Sequence, residues 1–218
     1  RTVQRLALAI LNTARKAAFR ALTLSECYKL NAVMKTDGKQ DIMLASADGM
    51  AICFNENDVR VMGRDAAGVR GMMLDAGDYV VGAGIAAKAK QLLSVTEYGY
   101  GKRTEIEAYL RLGEDGQRRP QNRGGKGLKG YNITAKTGRI AGVAIVDDAD
   151  DIMLIENGEV IAFSMGARMN EQYYDVCFEK AYSAINGAYA MINREFSRMI
   201  AEKYPELEFL NREDDMGE

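Results

Sequence analysis

The sequence predicts a mainly β chain: a partial β-propeller of about three blades, followed by a small α+β tail with β-β-α-β order. Three observations carry this expectation. Tight hairpins recur at a near-constant interval, a glycine-and-basic element recurs in step with them, and helical periodicity takes over after residue 163. The 218 residues are 47% apolar, enough to bury a sizeable core.

The opening stretch departs from the β pattern. Val3, Leu6, Ala7, Ile10, Ala14, Ala18 and Leu22 keep a 3.6-residue period in an alanine-rich segment, which predicts a helix over about 3–20. The first hairpin opens at Asp41-Ile42-Met43-Leu44, turns at Asp48-Gly49 and returns through Met50–Phe54. The second opens at Gln91–Thr96 and turns at Tyr98-Gly99. The third opens at Asp151–Ile155, turns at Asn157-Gly158 and returns through Val160–Phe163. Glycine at such turns supplies the positive φ that a two-residue hairpin loop requires. The second repeated element is Gly68-Val69-Arg70-Gly71-Met72, matched 59 residues on by Gly127-Leu128-Lys129-Gly130-Tyr131 and 50 residues back by Ala18-Phe19-Arg20-Ala21-Leu22. An insertion around Gly113–Pro120 accounts for the longer interval. A period near 50 residues made of short strands reads as propeller blades, each burying its apolar face only against its neighbours.

Composition narrows the function classes. The chain has no histidine, which removes histidine-based nucleophilic pairs, imidazole acid–base chemistry and imidazole metal ligands. Cys27, Cys53 and Cys177 are far apart and form no CxxC pair, which fits a reducing cytoplasm and neither a disulfide framework nor a zinc site. No run approaches the length of a membrane span, so no membrane partner is expected. Net charge is −2, but it is segregated: residues 1–163 carry 23 Lys and Arg against 20 Asp and Glu, and residues 164–218 carry 6 against 11. Within 99–139 ten basic residues face four acidic ones, the segregation a binding surface needs.

Several stretches then resemble the C-terminal domain of the DNA gyrase A protein, a β-pinwheel. They are Arg60–Met72, Gly77-Asp78-Tyr79-Val80-Val81-Gly82, Val95–Thr104 and, most strongly, Gln121-Asn122-Arg123-Gly124-Gly125-Lys126-Gly127. That heptad is close to the family's Q-R-R-G-G-K-G box, with Asn122 in place of the first arginine. The resemblance covers about 1–160 and implies a domain, 1–157, that wraps duplex DNA without reading its sequence. It implies as partners the catalytic core and ATPase subunit of a type II topoisomerase, where wrapping serves negative supercoiling. It implies no catalysis and no cofactor in this chain. Physical chemistry agrees with the DNA reading, because Lys and Arg release phosphate counterions. Glycines also let a phosphate approach uncovered backbone N–H groups. The expected DNA contacts are Arg123, Gly124, Gly125, Lys126, Gly127 and Lys129, then Lys102, Arg103, Arg118 and Arg119, with Arg64 and Arg70 one repeat earlier.

The tail reads differently. Tyr174–Phe178 alternates as a strand, Ile185, Ala188, Tyr189, Ile192, Phe196, Met199 and Ile200 share a helical face reaching about Lys203, and Leu207–Leu210 is a short strand. On Gly158–Phe163, Glu179-Lys180-Ala181, Ile192–Phe196 and Leu210–Gly217, residues 158–218 resemble part of a phosphatidylglycerol lysyltransferase-like C-terminal domain of the GNAT type. This implies, as an alternative, an aminoacyl-transferase-like fragment; an inert composite of two fragments is a further alternative. The join is expected within 155–163, and the tail is expected to pack on the last blade. Gly82-Ala83-Gly84-Ile85-Ala86-Ala87 matches a dinucleotide fingerprint but lacks its acidic partner, and Asp147–Asp151 fits a blade-edge loop better than a cation site.

Overall fold

The computed structural model of the protein describes residues 1–11, 20–24, 28–87, 89–156, 160–181 and 188–212. Its elements are, in chain order, β1 (Thr2–Val3), α1 (Leu8–Leu11), β2 (Asp41–Ser46), β3 (Met50–Asn55), β4 (Val69–Arg70), β5 (Val80–Ile85), β6 (Gln91–Thr96) and β7 (Gly101–Glu105). They continue through β8 (Arg111–Leu112), β9 (Arg118–Arg119), β10 (Leu128–Lys129), β11 (Ile140–Val146), β12 (Asp150–Glu156), β13 (Val160–Arg168), β14 (Tyr173–Ala181), α2 (Ala188–Lys203) and β15 (Phe209–Arg212). Short 3-10 turns follow β3 at Glu56–Asp58 and β7 at Ile106–Tyr109.

Two sheets form the propeller part, in the orders β10-β3-β2-β5 and β11-β6-β7. The β2–β3 and β6–β7 hairpins form where the sequence places them, with Gly49 at φ +83° and Gly99 at φ +81° in their turns. The two sheets meet face to face, with the side chains of Val143 and Ile145 on β11 packed onto bare backbone at Gly82 and Gly84 of β5. A Cβ at either glycine would lie 2.6 Å from its neighbour. The glycines that imitate a dinucleotide fingerprint are therefore packing glycines in an antiparallel strand. Met43, Cys53, Val81, Leu92, Ile106, Tyr109 and Val143 fill the core between the sheets. On the other face of the first sheet, Ile42, Leu44, Ile52, Phe54, Met62 and Met72 form a second core against which Val3 packs.

The start of the chain is not the expected helix. Among the described residues of the first 24, only Leu8–Leu11 is helical, while Thr2 and Val3 pair antiparallel with Arg70 and Val69. The physical reason is tertiary: Val3 contributes to the second core and Arg5 reaches Glu56, contacts that helix propensity alone does not provide. Residues 12–19 lie outside the described residues, Ala18 and Phe19 of the earliest repeat among them, and Arg20–Leu22 carries no strand. That copy lacks the glycines its two successors use. Glu56 fastens this strap to the blade. Its carboxylate accepts from Thr36 Oγ1 at 2.6 Å and the Gln40 N–H at 2.9 Å, and Arg5 Nε stands 3.4 Å away. Burial raises its pKa, but these bonds and the Arg5 charge outweigh burial and leave it below its ordinary 4.5.

The third hairpin, β12–β13, belongs to the tail sheet, ordered β12-β13-β14-β15. The expected division at 157/158 falls between its two strands, at residues outside those described. From β13 onward the tail has the predicted β-β-α-β order, with α2 carrying the chain across to a parallel β14–β15 pair. Ile192, Phe196 and Ile200 are buried from α2, and the last two cluster with Tyr174 and Val176 of β14. Asp151 is held by Tyr174 and Tyr204 hydroxyls, each at 3.1 Å, and by Lys203. The tail sheet lies on the second blade as a further blade would. Met165 packs with Ala144 and Val146, and the Phe163 ring covers Gly142 so closely that a Cβ there would lie 2.4 Å from it.

Phe163→Ala removes the ring from this seam and lowers the unfolding free energy by about 3–5 kcal/mol in urea melts; a loss below about 1 kcal/mol means that the seam does not hold. Because the Glu56 pKa is depressed, its contribution to stability is present above 4.5 and is lost as pH falls from there through the folded-state value. Glu56→Gln therefore melts lower than wild type at pH 7, and the gap narrows at pH 3; an equal gap at both contradicts the assignment.

Candidate nucleic-acid interface

The glycine-rich basic segment is bound to the first blade along its whole length. Gln121 N–H donates to the Cys53 carbonyl at 2.7 Å, and Gln121 Nε2 donates to the Tyr109 carbonyl at 2.8 Å. Gly124 N–H donates to the Gly71 carbonyl at 2.8 Å, and the Gly125 carbonyl accepts from Met73 N–H at 2.9 Å. The chain then enters β10, where Leu128 pairs with Ala51 and Lys129 with Met50. Gly130 N–H closes the run on the Gly49 carbonyl at 2.9 Å. A strand of the second repeat thus completes the first sheet.

Gly127 is required by this insertion. Its φ is +79°, and a Cβ would lie 2.2 Å from the Ala51 carbonyl oxygen. Gly68 has the same role one repeat earlier, with φ +75° and the Val3 carbonyl oxygen 2.7 Å from its would-be Cβ. The backbone that approaches these glycines is the neighbouring strand. The expectation that Gly124 presents an uncovered N–H to phosphate is corrected by its bond to Gly71.

The basic side chains fall into groups. Arg123 donates through Nε to the Asp58 carbonyl at 3.1 Å and through its guanidinium to the Arg70 carbonyl, so it staples the turn to the preceding repeat. Lys126 lies over Asp75, 2.7 and 2.9 Å from its two carboxylate oxygens. Lys129 bonds Asn132 at 2.9 Å, and Lys102 of β7 reaches the Gly130 carbonyl at 3.2 Å. Arg70, Arg123, Lys126, Lys129 and Lys102 thereby follow one another along the 122–130 segment from the first blade to the second. Lys136 extends the run, 5.6 Å from the centre of the Tyr100 ring.

Other expected residues lie elsewhere. Arg103 leaves β7 on the side opposite Lys102 and pairs with Asp148 at 2.5 Å, beside a Lys90–Asp147 pair at 3.2 Å. These pairs neutralise part of the acidic loop. The Asp147 pKa is lowered, first by the Ala149 N–H bond and then by Lys90, while burial raises that of Asp150. Among the described residues no acidic cluster is arranged to hold a metal ion. Arg118 and Arg119 lie in the β8–β9 hairpin, where Arg118 caps the Glu107 carbonyl at 2.9 Å. Arg64 contacts the Arg20 carbonyl at 3.3 Å. Sequence reasoning missed Arg139, which joins the blades' turns by donating to Asp48 at 2.9 Å and to the Gly77 carbonyl at 3.0 Å. No spacing rule singles it out. These exposed ion pairs are individually weak and exchange readily with solvent or another anion.

Comparison with known proteins agrees with this geometry. Residues 40–87, 90–117 and 119–147 match the family model for the DNA gyrase C-terminal domain, beta-propeller. The DNA gyrase A protein of Staphylococcus epidermidis is 40% identical over 143 residues, covering 65% of this chain and 15% of that protein. Its counterpart from Ureaplasma parvum is 36% identical over 146 residues, covering 66% of this chain and 16% of that protein. A solved DNA gyrase A C-terminal domain superposes with a TM-score of 0.52 at 27% identity, covering 64% of this chain and 45% of that one. The chain thus spans about a sixth of the curated relatives' length. Its blades are similar to that domain in both sequence and backbone, and the family match ends before the tail sheet begins.

The two positive-φ glycines of the segment separate strain from collision. Gly124, at φ +87°, has its nearest neighbour 3.5 Å from a would-be Cβ, so Gly124→Ala costs only the left-handed backbone, about 1–2 kcal/mol. Gly127→Ala also meets the Ala51 carbonyl and costs more, with faster amide exchange across Met50–Phe54. Equal costs in parallel melts contradict the insertion geometry.

Proposed function

We propose that the two blades form a non-catalytic module that binds duplex DNA through its phosphate backbone, independently of sequence. The observation that carries this reading is a basic run: Arg123, Lys126 and Lys129 on a segment that crosses from one blade to the next, with Arg70 and Lys102 against its two ends. The run passes from one sheet to the next, and an extended basic strip suits the backbone of a bent duplex better than it suits a small ligand. Similarity to the gyrase A C-terminal domain supports the same reading. In this reading the partners are duplex DNA and the remainder of a cytoplasmic type II topoisomerase, its catalytic core and ATPase subunit. The blades bend or wrap the DNA that the core acts on.

Within the run the residues divide by role. Arg123 holds the turn in shape and contributes charge from a fixed position, while Lys126, Lys129 and Lys102 can swing from their weak protein partners to phosphate. Asp75 competes for Lys126 at 2.7 Å. For the tail we propose a packing role, because Met165 and Phe163 cover the face that the second blade would otherwise expose.

The test uses the salt dependence of binding to a random-sequence duplex. Each lysine that neutralises a phosphate contributes about 0.9 to the slope of log K against log salt. Lys126→Ala, Lys129→Ala and Lys102→Ala each flatten the slope by about that amount without shifting the melt, and the triple variant flattens it by nearly three times as much. Asp75→Asn tightens binding. Slopes that stay at the wild-type value in all four lysine variants remove this run from the contact surface.

A further inference from the structure

The two repeats differ at one place. Gly68 follows the end of the first 3-10 turn at Asp58 by 10 positions, whereas Gly127 follows the end of the second at Tyr109 by 18. The eight additional positions build the β8–β9 hairpin, a two-stranded sheet hydrogen-bonded to no other sheet among the described residues. Its loop is self-contained: Gly113 N–H donates to the Gln117 carbonyl at 2.7 Å, Gly116 N–H to the Gly113 carbonyl at 3.0 Å, and Gly116 takes φ +76°. Arg118, in the pair nearer the loop, ties this finger to the Glu107 carbonyl, and residues 114–119 are exposed.

The register of this finger is unusual. Arg111 stands directly opposite Arg119, so two guanidinium groups leave the same face of a two-residue ladder. Like charges directly opposite each other destabilise a strand pair, and this ladder has little else to hold it. Arg119 is 59% exposed and pairs with Asp115 at the loop, while Arg111 is exposed and its guanidinium has no hydrogen bond or ion pair among the described residues. An anion lodged between the two would relieve the repulsion. Guanidinium groups suit a phosphate, whose oxygens each fork can engage with paired N–H groups.

We propose that Arg111 and Arg119 form a clamp for one backbone phosphate of duplex DNA, a contact on the finger separate from the basic run of the two blades. The inference rests on DNA binding by those blades, which places a duplex within reach, and it assigns a role to Arg111. Asp115 is the occupant's competitor: its carboxylate holds Arg119 when DNA is absent.

The experiment titrates a random-sequence duplex across a KCl series with wild type, Arg111→Ala, Arg119→Ala, the double variant and Asp115→Asn. All four variants change exposed side chains, and melting curves check that folding is unaltered. A clamp on a single phosphate needs both arginines, so each single variant lowers the salt slope by about 0.9 and the double lowers it no further. Asp115→Asn tightens binding in the same titration. Inorganic phosphate at matched ionic strength competes no better than chloride. Unchanged slopes, or a double variant that loses about twice as much as either single, overturn the clamp while leaving DNA binding by the blades intact. Specific competition by inorganic phosphate overturns it in favour of a free-anion site, and absence of wild-type binding overturns both readings.

Discussion

The structure depends on one strand crossing between repeats. β10 belongs by sequence to the second repeat but forms the outer strand of the first sheet, where its backbone lies so close to Ala51 that residue 127 must be glycine. β4 does the same one repeat earlier, against Thr2 and Val3. Blades built this way are not independent units, since each lends its neighbour an edge, and the segment that makes the crossing is fixed at both ends. A long backbone ladder and two cores then follow from local alternation of apolar and polar residues.

The same crossing explains where the basic residues lie. A segment obliged to run from one sheet to the next, over their outer edge, carries its side chains outward because its backbone polar groups are occupied inward. Arg123 turns its guanidinium back onto carbonyls of the first repeat, and Lys126, Lys129 and Lys102 remain exchangeable beside weak partners. Surface pairs of this kind hold side chains near a working position at little energetic cost, and an incoming phosphate replaces one anionic or carbonyl partner with another. The tail ends the stack by presenting Phe163 to Gly142, much as Val143 and Ile145 present themselves to Gly82 and Gly84.

Much of this was legible in the residues. The two hairpins of the blades, the 59-residue register of Gly68 and Gly127, and the tail's strand–helix–strand succession all come from short-range patterns: turn glycines, period-2 alternation and a 3.6-residue apolar stripe. What was not legible is long-range. Val3 reads as one position of a helical stripe, and only contact with the core around Met72 makes it part of a strand. Gly124 reads as an open amide until Gly71 is placed opposite it. Arg103 and Lys102 are adjacent in sequence and alike in chemistry, but strand alternation sends one to Asp148 and the other to the basic run. Arg111 and Arg139 stand out only when register and turn packing are known.

In the proposed reading, this strand crossing displays a phosphate-binding rim. The most direct measurement is the fluorescence anisotropy of a labelled random-sequence duplex titrated with the whole chain over a range of salt concentrations. A phosphate-tracking rim gives binding at low salt that weakens linearly in log salt, with a slope of several phosphate contacts and no preference among sequences. Absence of binding at low salt, or an affinity indifferent to salt, contradicts it.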